Sequence, residues 1–111
     1  MESNSNRRSE RKKFRLKAEI TLGDISYKGF VENLSSEGLF GVIIRDEKLE
    51  DLNTHMFVGV KFAFPTGEEF TLFCEIKRLV EDTDPLVGRV YHFGMEIIDQ
   101  PPQFKKFIAN L

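Results

Sequence analysis

Apolar and polar side chains alternate along most of this chain, and this period-two pattern is typical of half-buried β-strands. The pattern starts at Phe14 and is first interrupted at Gly23-Asp24, a turn signal. It predicts six short strands, at about residues 14–22, 25–31, 39–44, 58–64, 70–76 and 91–97. The third strand is a nearly continuous apolar run, so we expect it to be buried on both faces.

Other segments follow a different pattern. Residues 45–54 are mostly charged and predict a loop or a short helical turn, and residues 81–88 predict a longer acidic loop. Pro101-Pro102 marks a helix start, because proline is well tolerated in the first helical turn. Residues 101–111 then predict an amphipathic helix, whose apolar stripe should pack on the strands. This stripe consists of Phe104, Phe107, Ile108 and Leu111.

Six strands without intervening helices indicate a mainly all-β fold, an antiparallel barrel or sandwich, with one C-terminal α-helix. The length of 111 residues fits one domain. Residues 1–10 are polar and are expected to form a flexible basic N-terminal arm. Residues 11–111 are expected to form the folded domain.

The composition indicates a soluble cytoplasmic protein. No apolar run reaches the roughly 18 residues that a membrane span needs, and the N-terminus lacks the apolar stretch of a signal peptide. The single cysteine, Cys74, excludes an internal disulfide, and its place in the alternation predicts a buried thiol.

Charge is divided unevenly along the chain. The net charge is −2, but residues 1–17 hold seven basic and two acidic side chains and the rest holds nine basic and sixteen acidic ones. The first segment is therefore +5 and the remainder is −7. Such a division indicates either a basic segment with an anionic partner or a solvated tail that keeps the protein soluble.

No pattern in the sequence indicates an enzyme or a metal site. His55 and His92 lie far apart, without Cys or His neighbours at metal-ligand spacing. Ser35 and Ser36 are not part of a nucleophile elbow, and the chain has neither a P-loop nor a dinucleotide fingerprint. We therefore expect no catalytic activity and no bound cofactor.

Two short motifs do suggest binding chemistry. Arg11 and Arg15 have an R-x-x-x-R spacing that runs into the first strand, and residues 33–38 have an N-x-S-x-x-G spacing between the second and third strands. Arginine offers a planar set of donors that matches phosphate and the O6 and N7 acceptors of guanine. Asn33 and Ser35 offer small donors and acceptors, and Gly38 permits a tight turn or a close backbone approach.

In these two motifs, their order and the strand pattern around them, the chain resembles the PilZ family. Further points of similarity are the apolar residues after Gly38 and the segment His92-Phe93-Gly94 in the last strand. The resemblance covers about residues 7–111 and implies a six-stranded antiparallel β-barrel with a C-terminal helix. It also implies a receptor for cyclic di-GMP, a dianionic cyclic dinucleotide.

By this resemblance, Arg11 and Arg15 would contact phosphates and guanine edges, Asn33 and Ser35 would contact the other guanine, and Gly38 would hold the turn. Arg7 and Arg11 have the same spacing, but we prefer Arg11 and Arg15 because that pair lies directly against the first strand. Arg7 and Arg8 would then make secondary phosphate contacts. Glu10 departs from the family pattern, in which many members have arginine or an apolar residue at this place. A carboxylate there is unfavourable beside a dianionic ligand.

The leading hypothesis is a cyclic di-GMP receptor whose arm becomes ordered on binding and which signals in trans to an unidentified effector protein. The alternative is a PilZ-like protein–protein interaction module that does not bind nucleotide. A third class, a small barrel that binds RNA or single-stranded DNA, requires a basic groove with exposed aromatic side chains. It is disfavoured because the body of the chain is acidic and its phenylalanines are predicted to face inward.

Overall fold

In a computed structural model of the chain, residues 12–45 and 52–110 are described, with the backbone alone at residues 12–14. The first predicted segment, residues 1–10, lies outside this part, as do Arg11 and Leu111. The elements are β1 (Lys12–Leu22), β2 (Ile25–Leu34), β3 (Gly38–Ile44), β4 (Phe57–Ala63), β5 (Glu69–Asp84), β6 (Gly88–Asp99) and α1 (Pro102–Ala109).

The six strands close into an antiparallel barrel in the order β1-β2-β3-β6-β5-β4. Closure depends on the pairing of β1 with β4, in which Ala18 lies opposite Phe62 and Thr21 lies opposite Gly59. The predicted fold class is therefore confirmed, and the choice between barrel and sandwich is decided in favour of the barrel.

The core is built from the inward-facing side of the alternating strands. Ile20, Val31, Leu72 and Ile76 expose no surface. Cys74 lies among them, and its burial raises the pKa of the thiol to about 12, so the thiol is uncharged and inert at neutral pH. On β3, the side chains of both the adjacent residues Val42 and Ile43 are inaccessible to solvent, as expected for a strand covered on both faces.

Helix α1 packs on a group of phenylalanines from β4 and β5. Phe104 is fully buried, with its ring edge-on to Phe62 and Phe70 at centroid distances of 6.3 and 5.2 Å. Phe107 is only half-buried and lies 4.7 Å from Phe64. The helix is thus part of the hydrophobic core. No helix in the described ranges is long and apolar enough to cross a membrane.

The expectation of a long acidic loop at residues 81–88 is wrong. β5 continues to Asp84 and pairs with β6 down to Gly88, so the two strands form one long hairpin. Asp84 closes its turn by accepting hydrogen bonds from the backbone N–H groups of Leu86 and Val87, at 2.8 and 3.2 Å. Gly88, with φ of 88°, adopts the left-handed region that favours glycine. The outer part of the hairpin is exposed on both faces, so its sequence lacks apolar alternation.

The expectation that the phenylalanines face inward is also wrong in part. Phe57 and Phe73 are 49% and 47% exposed on the outer face of β4 and β5, with their rings stacked at 5.6 Å. Their strand positions have the opposite parity to the core residues Val58 and Leu72. Carboxylates flank the stack, since Phe57 pairs with Glu75 and Phe73 pairs with Asp99. The charge of Glu75 is balanced by Lys77, but the carboxylate of Asp99 disfavours a polyanionic nucleic acid at the exposed rings.

Candidate functional site

The pairing of β1 with β2 brings the two sequence motifs together. Lys12 lies opposite Leu34 and Lys13 lies opposite Asn33, so the basic end of β1 runs beside the start of the N-x-S-x-x-G turn. The register then shifts between Lys13 and Leu16. This irregularity places Arg15, the second arginine of the R-x-x-x-R spacing, beside Glu32.

Arg15 is the charged centre of this region. Its guanidinium forms an ion pair with Glu32 and a second one with Asp84, where Nη2 lies 3.3 Å from Oδ2. The same guanidinium lies 4.4 Å from the centre of the Phe30 ring, at which distance the face of the ring attracts a cation. Arg15 thereby connects β1, β2 and the far end of β5, and about a third of its side chain stays open to solvent.

Asp84 is held as a carboxylate at neutral pH. Its pKa is lowered chiefly by the hydrogen bond from the Leu86 N–H, and further by the Val87 N–H and by Arg15. The turn of the β5–β6 hairpin therefore presents a fixed negative charge to Arg15. This partner was not found in the sequence, because it is 69 residues away and the hairpin that carries it was predicted to be a loop.

Within the N-x-S-x-x-G motif, the side chain of Ser35 is bonded to the backbone of the turn. The side chain is buried, and Oγ accepts hydrogen bonds from the backbone N–H groups of Glu37 and Gly38, both at 3.2 Å. The backbone N–H of Ser35 donates to the carbonyl of Gly38 at 3.0 Å. Ser35 thus fixes the turn between β2 and β3.

Replacing Ser35 with alanine should lower the free energy of unfolding by about 1–3 kcal/mol, since two partly buried backbone hydrogen bonds lose their acceptor. Thermal or denaturant unfolding measures this change. Ser36→Ala is the matched control, since its backbone carbonyl accepts from Gln100 but no side-chain bond is lost. Equal stability of the two variants would show that the Ser35 hydroxyl does not hold the turn.

Gly38 is required by close packing between strands. A Cβ built there would lie 2.8 Å from the carbonyl oxygen of Met95 on β6, closer than real contacts allow. Gly38 is not among the glycines with positive φ, so its role is the close approach of β3 to β6 rather than a left-handed turn.

A groove of about 350 Å³ lies beside the turn, and Asn33 is one of its lining residues. Its walls come from β2, β3, β5 and β6, and they include residues that the motifs did not indicate. The lining residues are Glu32, Asn33, Phe40, Gly41, Arg78, Val80, Asp82, His92 and Phe93. Period-two parity could have placed His92 on the outer face. Arg78 has the parity of the core residues Cys74 and Ile76 and is exposed only because the register shifts between Ile76 and Arg78, which the sequence did not indicate.

The predicted site residues are therefore distributed as follows. Asn33 lines the groove, and Arg15 borders it through its ion pair with the lining residue Glu32. Ser35 and Gly38 build the turn and are not groove-lining residues. Arg7, Arg8 and Arg11 lie outside the described residues. Within the described ranges, no group of three or more His, Cys, Asp or Glu side chains is placed to hold a metal ion.

Comparison with known protein families gives one match, in which the family model described as "PilZ domain" matches residues 5–111. The chain belongs to the PilZ domain family. No curated protein matches this PilZ chain. Solved structures do match it, and at 12–14% sequence identity the likeness establishes the PilZ fold.

Three of these structures are informative. The inhibitor of motility MotI/DgrA of Bacillus subtilis is 12% identical with a TM-score of 0.73, covering 95% of this chain and 48% of that one. The PilZ domain of YcgR from Escherichia coli, solved with c-di-GMP, is 14% identical with a TM-score of 0.73, covering 94% and 86%. MrkH, described as a c-di-GMP-dependent transcription regulatory factor, is 14% identical with a TM-score of 0.65, covering 95% and 48%. The chain thus spans about half the length of MotI and MrkH.

Proposed function

We propose that this PilZ protein is a cytoplasmic receptor for cyclic di-GMP without catalytic activity. One observation carries the proposal. The pairing of Lys13 with Asn33 sets the end of the R-x-x-x-R motif beside the N-x-S-x-x-G turn, at the edge of a groove with polar walls. Membership of the family and the c-di-GMP bound to the YcgR domain support the same ligand.

The chemistry of the groove edge suits such a ligand. Arg15 offers a fork of donors to a phosphate or to the O6 and N7 atoms of guanine. Asn33 offers an amide that makes no hydrogen bond with another described residue, so both its donor and its acceptor are available to a base edge. In this proposal Arg11 contacts the ligand together with Arg15, while Arg7 and Arg8 make secondary phosphate contacts.

Ser35 and Gly38 take a different part in the site from the one their motif implies. The Oγ of Ser35 already accepts two backbone hydrogen bonds, and Gly38 lies against β6. We propose that these two residues position Asn33 by holding the turn rigid. Their contribution to affinity is then mainly through preorganisation of the site.

Binding requires Arg15 to change partners. In the ligand-free arrangement its guanidinium is neutralised by Glu32 and Asp84. A phosphate or guanine edge competes with these carboxylates for the same donors, and any contact retained with Phe30 would keep the guanidinium in place. The exchange costs part of the binding free energy, and it disfavours weaker anions that cannot replace both carboxylates.

Calorimetric titration with cyclic di-GMP tests the proposal, with GTP and a linear dinucleotide as controls. The expected result is saturable binding of the cyclic dinucleotide and none of the controls at the same concentrations. Equal binding of all three would indicate only a nonspecific attraction of phosphates to the basic N-terminal segment. Absence of any binding would contradict the proposal.

The output of the receptor is proposed to be the ordering of residues 1–10 over the site, which would offer an altered surface to an effector protein in trans. A dianionic ligand favours this step because the first 17 residues carry a net charge of +5. Amide relaxation of residues 5–10 should show restricted motion in the complex and fast motion in the free protein. A segment equally rigid in both states would rule this mechanism out.

The exposed stack of Phe57 and Phe73 supports a second candidate, the PilZ-like interaction module that binds no nucleotide. Exposed aromatic side chains are common at the centres of protein–protein contacts. The titration distinguishes the two candidates, because an interaction module would show no heat with cyclic di-GMP. The stack lies on β4 and β5, away from the groove-lining residues, so a receptor could also use it to contact its effector.

A further inference from the structure

The groove contains a histidine–carboxylate pair that neither motif includes. His92 on β6 and Asp82 on β5 both line it, and Nε2 of His92 lies 2.9 Å from Oδ2 of Asp82. Both side chains are about half exposed. Each can therefore contact a ligand in the groove while it stays in contact with its partner. The pair lies on the wall opposite the β2 residues Glu32 and Asn33.

The other charged groups facing His92 come from two strands. β5 contributes Arg78 together with Asp82, and β2 contributes Glu32, whose charge is balanced by Arg15 of β1 at the groove border. The lining residues of β3 are Phe40 and Gly41, which do not titrate. Arginine keeps its charge at all ordinary pH values, and carboxylates ordinarily titrate well below pH 6. Of the residue types that line the described groove, histidine is therefore the one with an ordinary pKa, about 6.5, in the physiological range.

We propose that the binding of cyclic di-GMP in this groove is coupled to the uptake of a proton by His92, so that the receptor's affinity depends on pH. This inference rests on the proposed function and deepens it. It assigns the far wall of the groove, His92 held by Asp82, to the ligand site and makes proton concentration a second input of the receptor.

The sign follows from the charges. With a neutral imidazole, Asp82 presents an unbalanced carboxylate to a dianionic ligand. A protonated imidazole neutralises Asp82, so the positive charge of Arg78 on the same wall is left to attract phosphate. Ligand binding therefore favours the protonated form and, by linkage, protonation favours binding. Affinity should be highest on the acid side and should fall as pH rises through the range in which histidine loses its proton.

The test is the dissociation constant of cyclic di-GMP measured between about pH 5.5 and about pH 8. The wild type is expected to bind cyclic di-GMP at least about five-fold more tightly at the acid end of this range than at the alkaline end. This is the usual size of coupling between two binding events. His92→Gln should remove this dependence. His55→Gln is the matched control, since His55 is the other of the chain's two histidines, contacts Glu75 at 3.3 Å and does not line the groove.

A second variant tests the charge argument independently of His92. Asp82→Asn removes the carboxylate, so it should bind more tightly than the wild type at the alkaline end and show a flatter pH profile. A wild-type affinity that is constant across the range, or a His92→Gln protein that keeps the full dependence, would overturn the coupling while leaving the receptor function intact. Absence of wild-type binding at every pH would instead overturn the proposed function and the coupling with it.

Discussion

Replacing Arg15 with alanine should weaken the binding of cyclic di-GMP by roughly thirty-fold or more. Loss of one member of a charge-assisted pair that becomes desolvated in a complex costs about 2–5 kcal/mol, and about 1.4 kcal/mol corresponds to a factor of ten. The variant also leaves Glu32 and Asp84 without their shared cation, so two carboxylates would face a dianionic ligand. Calorimetric titration of the folded variant measures the loss.

Arg89→Ala is the matched control for Arg15→Ala. It removes the same charge from an exposed position on β6 that does not line the groove, so it should change the affinity by about 1 kcal/mol or less. Arg7→Ala and Arg8→Ala should likewise have small effects. If Arg7→Ala weakens binding more than Arg15→Ala does, the arginine motif is used four residues earlier than we propose.

Phe104→Ala should lower the free energy of unfolding by about 3–5 kcal/mol, the usual cost of truncating a fully buried phenylalanine. The ring lies edge-on to both Phe62 and Phe70, so its removal leaves a cavity between α1 and the barrel. A loss of this size should be visible as a fall of many degrees in the melting temperature, since a domain of this size shifts by several degrees per kcal/mol.

Two neighbouring substitutions serve as references for Phe104→Ala. Lys105→Ala alters an exposed residue of the same helix and should change stability little. Phe107→Ala should lower stability by an intermediate amount, because Phe107 is half-buried. The apolar stripe in the sequence did not distinguish Phe107 from Phe104. A Phe104→Ala protein as stable as Lys105→Ala would mean that α1 is detached from the barrel in solution and is free to contact a partner.

The barrel could be predicted because most of its strands have one buried and one solvated face, and the alternation of apolar and polar residues follows directly from that difference. The outer part of the β5–β6 hairpin could not, because from Glu81 to Thr83 neither face is buried and no apolar signal exists. Phe57 and Phe73 were misplaced for another reason. Their parity relative to Val58 and Leu72 was present in the sequence, but the phenylalanines were treated as a class instead of position by position.

The candidate site could be predicted only where its residues belong to a local motif. Asn33, Ser35 and Gly38 share one turn, whose fixed spacing can be recognised without knowledge of the fold. Arg15 could be named, but its partner Asp84 could not, since their contact depends on the length of a distant hairpin and on barrel closure. The wall formed by Asp82 and His92 was missed in the same way.

Closure of the barrel through β1 and β4 also affects how the protein folds. The contact of Ala18 with Phe62 joins segments far apart in the sequence, and the other strand pairs add further long-range contacts. Chains dominated by contacts of high sequence separation pay a large loop-closure entropy before native pairing stabilises them, and they typically fold in milliseconds to seconds. Until β1 and β4 meet, each presents an unpaired edge that other chains can join. We therefore expect refolding yield to fall with rising protein concentration, whereas the closed native barrel resists this association.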